Sequence, residues 1–226
     1  MAHCKTEMSE FYKRLLSSVL LIPLATYFLF QEKLFFLLFI AIIFIISAYE
    51  WYKLSSNKSI FFFGFIFLIF SFICIYKLRF FYINNKMNIF TIYYALIVCI
   101  STDIGGYVFG KLIKGPKLIK FSPKKTYAGL IGGIFLSIIF SQIFVLKFDY
   151  LFKVEVVFSY NLIIFTLLIS LVSQFGDIII SIFKRKKGIK DTGKLIPGHG
   201  GLLDRIDGMI FAFPFVYIFI SLNNFI

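Results

Sequence analysis

The sequence predicts an all-α, polytopic integral membrane protein of about seven transmembrane helices, with its most basic loops on the cytoplasmic face. Three observations predict it. Of 226 residues, 60% are apolar and only 15% charged, with a mean hydropathy of +0.91. A soluble domain is about 45–50% apolar and about 25% charged. The apolar residues gather into seven runs, and a bilayer crossing needs roughly 20 such residues. The basic residues are shared unevenly among the loops between those runs. An ordinary soluble globule, a disordered chain and a collagen-like chain are thereby excluded.

The runs fall at roughly 15–30, 34–49, 59–76, 88–112, 126–146, 161–183 and 209–226. The first follows Lys13-Arg14, as a signal peptide would. It has no small-x-small cleavage site and a second run follows at once, so it reads as a retained anchor. After the third run, Phe80-Phe81-Tyr82 predicts a short piece lying in the interface. In the fifth, Gly129, Gly133, Ser137 and Ser141 recur every four residues, a small-xxx-small stripe whose simplest use is close helix packing. Cys4, Cys74 and Cys99 give neither a disulfide framework nor a metal spacing. The whole of 1–226 reads as one membrane-embedded domain.

Loop charge sets the orientation. The N-terminus and the segments 50–58, 111–125 and 184–207 carry 3, 2, 6 and 7 Lys/Arg, that is 18 against 6 on the other side. By the positive-inside rule these segments face the cytoplasm. The formal charge of +13 suits anionic lipid or a phosphorylated substrate. Nucleic acid is set aside, because no soluble basic domain stands apart from the apolar runs.

Charge inside an apolar helix is costly and marks function. Asp103 and Asp177 both sit at helix depth. In the sixth run Ser170, Ser173, Asp177, Ser181 and Lys184 are spaced three, four, four and three apart, one polar stripe on an α-helix. The competing structural reading is an Asp177–Lys184 pair inside the bundle. The following segment, 181–207, adds seven bases, three acids and His199. Its glycines, Gly200 and Gly201 among them, allow close backbone approach to phosphate. Asp204 and Asp207, three apart, can share a helical face and suit Mg²⁺ as oxygen ligands, while Arg205 can grip a phosphate with two hydrogen bonds. His199 has no second histidine nearby for zinc, and its glycine neighbours favour binding or proton transfer. Ser122, Lys124, Lys125 and Thr126 lie at an expected helix start and form a natural anion cradle. Bases, glycines and carboxylates together describe a metal-assisted phosphoryl or nucleotidyl transfer.

The segment Ser181-x-x-Lys184-Arg185, then Lys190-Asp191-x-Gly193-x-x-Ile196-Pro197-Gly198-His199-Gly200-Gly201-x-x-Asp204-Arg205-x-Asp207, closely resembles the signature of phosphatidate cytidylyltransferases, or CDP-diacylglycerol synthases. Lys13-Arg14 before a run with Pro23, Glu50-Trp51-x-x-Leu54, Thr102-Asp103-x-Gly105 and Ser122-Pro-Lys-Lys-Thr126 extend the resemblance over nearly the whole chain. It implies a bacterial inner-membrane enzyme that converts CTP and phosphatidate to CDP-diacylglycerol and pyrophosphate with Mg²⁺. It also implies metal-binding roles for Asp177 and Asp204, with Asp207 beside them. Lys184, Arg185, Arg205 and His199 would be catalytic. Asp103, Ser122, Lys124, Lys125, Thr126, Ser181, Lys190, Gly200 and Gly201 would line the substrates. Where the family often has an acid before the signature serine, this chain has Ile180, which bears on a second cation. Two alternatives stand: a cytidylyltransferase for another lipid phosphate, and a transporter with intramembrane carboxylates. Acyl-chain preference and homodimer formation are left open.

Overall fold

The computed structural model describes residues 23–80, 85–119, 122–152, 160–196 and 200–223. The expected first span up to residue 22, including Lys13-Arg14, lies outside the described residues. So do Phe81-Tyr82, His199 and the last three residues of the seventh run. The chain forms α1 (Lys33–Leu54), α2 (Lys58–Phe80), α3 (Asn85–Leu112), β1 (Lys117–Ile119), β2 (Ser122–Thr126), α4 (Tyr127–Phe152), α5 (Tyr160–Lys186), α6 (Leu203–Ile206) and α7 (Met209–Asn223). Residues 23–30 are also helical.

Lipid offers no hydrogen bonds, so a spanning segment must satisfy its backbone internally, which a helix does. Five helical stretches are long and apolar enough to cross: Lys33–Leu54, Lys58–Phe80, Ile89–Leu112, Tyr127–Phe148 and Tyr160–Lys186. They match the second to sixth predicted runs. The seventh run becomes α7, an apolar helix of 15 residues. The protein is a multi-pass, all-α membrane protein.

The chain divides into two compact units, Met1–Ile69 with Lys186–Ile206, and Phe70–Arg185 with Asp207–Ile226. In the first, α1 meets α2 through Trp51. Its indole N–H donates to the Phe61 carbonyl at 3.2 Å. A Cβ at Gly64 would lie 2.1 Å from the same ring, so only glycine lets the helices come this close. At the end of α1 the Ser55 amide and hydroxyl both donate to the Trp51 carbonyl, at 2.9 and 2.8 Å. Lys187 donates to the Lys53 and Ser55 carbonyls. A cation at a helix C-terminus is stabilising, so this base of the signature segment caps α1.

In the second unit the small-residue stripe does pack helices. A Cβ at Gly105 of α3 would meet the Gly132 carbonyl of α4 at 2.5 Å, and one at Gly129 the Gly106 carbonyl at 2.7 Å. Farther along, buried Ser141 lies 3.4 Å from Thr166 of α5, whose hydroxyl also meets Tyr94. Between α3 and α4 the chain turns back at Lys114 and Gly115, with φ of 57° and 93°, the left-handed region that glycine tolerates best. It then forms an antiparallel hairpin, Lys117 opposite Thr126 and Ile119 opposite Ser122. The expected helix start at 122–126 is thus a strand, and the helix begins at Tyr127. Pro123 lacks the N–H a helix interior needs, and extended backbone suits it. Within α7, Pro214 cannot donate to the Ile210 carbonyl four residues back. The Ser71 hydroxyl of α2 takes that acceptor at 2.7 Å.

Candidate functional site

The polar stripe of α5 is real, and each unit has its own polar cluster. In the second unit Ser170 and Ser173 are fully buried, and Thr102 of α3 donates to the Ser170 hydroxyl at 2.9 Å. One turn on, Asp177 ion-pairs with Lys125 of β2 at 2.6 Å and accepts from the Ser181 hydroxyl at 3.3 Å. The partner of Asp177 is therefore Lys125, from the hairpin, rather than Lys184. Lys184 instead faces Asp207, with Nζ–Oδ2 at 4.0 Å and both residues buried.

Two glycines bring Asp207 to the α5 surface. A Cβ at Gly176 would meet the Asp207 carbonyl at 2.9 Å and the Phe211 ring at 2.5 Å. One at Gly208 would meet the Ser173 hydroxyl at 2.4 Å. Asp207 Oδ1 accepts from the Gly208 amide at 2.9 Å. Burial pushes the Asp207 carboxyl well above the usual carboxylate range. The negative charges of Asp177 and Asp103 push the same way, while Lys184 and the Gly208 amide oppose them. This site concentrates negative charge that a cation would relieve. Its donors are carboxylate oxygens, the set that Mg²⁺ favours, and Mg²⁺ commonly takes only one or two protein carboxylates with substrate phosphates completing its shell. Among the described residues no group of three His, Cys, Asp or Glu side chains converges closely enough to form an all-protein cage. The donor chemistry therefore fits a cation shared with a phosphorylated substrate.

In the first unit the signature loop is tied down by two carboxylates. The backbone of Ile196 and Gly200 exchanges two hydrogen bonds, at 2.9 and 3.2 Å. Asp204 Oδ2 accepts the Thr192 amide at 2.7 Å and the Gly201 amide at 3.0 Å. Gly200 has φ of 87°, and a Cβ there would lie 2.9 Å from that same oxygen. Buried Glu50, at the end of α1, accepts the Leu202 and Leu203 amides at 3.0 and 2.7 Å. The Thr192 hydroxyl stands between the acids, 2.8 Å from Glu50 Oε2 and 3.1 Å from Asp204 Oδ2. It has one proton to give, so it serves one carboxylate at a time. Lys190 and Arg205 are exposed in this unit, as Arg185 is in the other.

Of the remaining expected residues, Thr126 caps α4, its hydroxyl accepting the Gly129 amide at 3.1 Å. The Gly129 amide, a donor of this helix start, is therefore already taken. Ser122 and Lys124 lie in β2. Asp103 is exposed on α3, close enough to act electrostatically on Asp207. Sequence reasoning assigned no role to Glu50. The available signals were an acid at the end of an apolar run and its place in Glu50-Trp51-x-x-Leu54.

A family model described as "Cytidylyltransferase family" matches residues 12–100 and 61–223, most of the chain. Among curated proteins, the chain is 35% identical over 219 residues to the phosphatidate cytidylyltransferase of Rickettsia bellii, covering 93% of this chain and 91% of that protein. It is 39% identical over 140 residues to that of Staphylococcus aureus strain COL, 62% of this chain and 52% of the relative. It is 40% identical over 132 residues to that of Bacillus subtilis, 58% of this chain and 47% of the relative. The chain thus spans about half the length of the staphylococcal and Bacillus relatives it matches.

Proposed function

The chain belongs to the cytidylyltransferase family, and from that premise we propose that it transfers the cytidylyl group of CTP to phosphatidate at the cytoplasmic face of a bacterial inner membrane. A phosphatidate oxygen attacks the α-phosphorus of CTP, one P–O bond forms, the α–β bridging bond breaks, and pyrophosphate leaves. The observation that carries this reading is the charge arrangement on α5. Lys184 and Asp207 are buried together, and Asp177 with Lys125 stands on the same helix stripe. Acid and base held together in this way suit a reaction between anions, where fixed charges stabilise the charge that develops.

Asp177 and Asp207 would hold Mg²⁺ through their carboxylate oxygens. The ion would supply neutralisation of the charge that builds on the departing pyrophosphate. Lys125 and Lys184 would meet substrate phosphates as point charges, and exposed Arg185 and Arg205 would grip them with paired N–H groups. Asp204, through the Thr192 and Gly201 amides it binds, would help set the shape of the nucleotide side, and the apolar helix faces would leave the acyl chains in the bilayer.

The test is turnover of purified protein in mixed micelles, following pyrophosphate release from CTP. Release that requires both phosphatidate and Mg²⁺ supports the reading. Release with an isoprenoid phosphate but not with phosphatidate would assign another lipid phosphate. No release from CTP with any lipid phosphate would overturn nucleotidyl transfer.

A further inference from the structure

We propose that Glu50 is a positioning residue for this transfer, holding the signature loop in its working shape through a buried carboxylate; the inference rests on the function proposed above. Glu50 is 4% exposed. Its charge is met by the Leu202 and Leu203 amides and the Thr192 hydroxyl, all within 3.0 Å. Among the described residues no lysine or arginine pairs with it. A carboxylate taken out of water needs such donors, and each donor is equally stranded without the carboxylate.

The glycines of the loop make the case specific. A Cβ at Gly193 would lie 2.6 Å from Glu50 Oε1, and one at Gly201 would lie 2.5 Å from Oε2. The carboxylate thus occupies the space that side chains at both positions would need. Glu50 is 142 residues from Thr192 in the chain, so this contact is built by the fold. Through Thr192 it reaches the same hydroxyl that Asp204 reaches, so the two acids hold one loop from two sides. Glu50 touches no reacting atom in this scheme. It acts by fixing the backbone that meets the nucleotide.

The test uses the full chain in micelles with three variants. Glu50→Gln keeps the length, but whichever way its amide turns, an NH₂ faces a backbone N–H. Glu50→Ala removes the anchor, and Gly193→Ala pushes a methyl into it. In Glu50→Ala the nearest remaining neighbour of that methyl is the Gly201 Cα at 3.3 Å. The two changes should therefore be non-additive. Hydrogen exchange at the Leu202 and Leu203 amides should quicken in both Glu50 variants. Per folded enzyme, KM for CTP should rise about tenfold while KM for phosphatidate moves less than about twofold. Gly193→Ala should do the same alone and add little to Glu50→Ala. Unchanged exchange at those amides, equal shifts of both KM values, or full additivity would overturn the proposal. Wild-type protein inert with CTP would instead sink the transfer itself, and the exchange data would still decide whether Glu50 anchors the loop.

Discussion

Asp207 is costly to the fold, and in the proposed chemistry the same buried carboxylate would hold the cation. Its carboxyl holds a proton more tightly in the folded protein than in the unfolded chain, because burial and the nearby Asp177 disfavour its charge. The folded state then binds more protons than the unfolded one, and stability falls with rising pH. The window opens at the ordinary carboxylate value near 3.8 and closes at the raised one. Without divalent cations, the melting temperature should decline across that window, and Asp207→Asn should flatten the decline. Equal slopes in both proteins would show that Asp207 is not the group responsible. This environment was not legible from sequence, where Asp207 was one of two acids three apart in a loop. What buries it is the close approach allowed by Gly176 and Gly208. The same holds for Asp177. Its helix face was readable from spacing, but its partner Lys125 comes from a hairpin 52 residues earlier. Glu50 and Thr192 meet across an even longer separation, and local pattern carries no trace of such pairings.

At the scale of elements, the helices were legible because a single long apolar run in a membrane has one stable outcome. The hairpin was not, since three- and five-residue strands rich in lysine leave almost no periodic signal. The α2–α7 contact adds a device that hydropathy also hides. Pro214 leaves the Ile210 carbonyl without its helical donor, and the Ser71 hydroxyl supplies one. Ser71→Ala should strand that buried acceptor and cost about 1–3 kcal/mol. Adding Pro214→Ala restores an N–H to the same carbonyl and should recover most of the loss. Thermal unfolding of the two single variants and the double variant checks this. A double variant as unstable as the sum of the singles would show that Ser71 acts by some other contact.

For the whole molecule, the loop-charge asymmetry predicts that the hairpin and the signature loop face the cytoplasm together. Cysteine labelling in intact cells should protect substituted positions near 117 and 190 from an impermeant external reagent. Labelling of either from outside would separate the proposed nucleotide site from its nucleotide. The central claim is that the α5 stripe handles the charge of the transfer, and Asp177 is its most direct test. Asn at this position keeps the size and loses the charge, and neutralising a membrane acid removes a desolvation cost. The control is Asp177→Asn combined with Lys125→Ala, which avoids leaving that lysine unpaired. The deciding measurement is the Mg²⁺ activation curve of CTP turnover, per folded protein, for wild type and both variants. The predicted result is near-normal folding, a curve displaced to much higher Mg²⁺ and a rate lower by about 100-fold or more, ~2.7 kcal/mol of lost transition-state stabilisation. A destabilised Asp177→Asn protein with a wild-type magnesium response, rescued in stability by the second substitution, would make Asp177 a structural partner of Lys125 and contradict the claim.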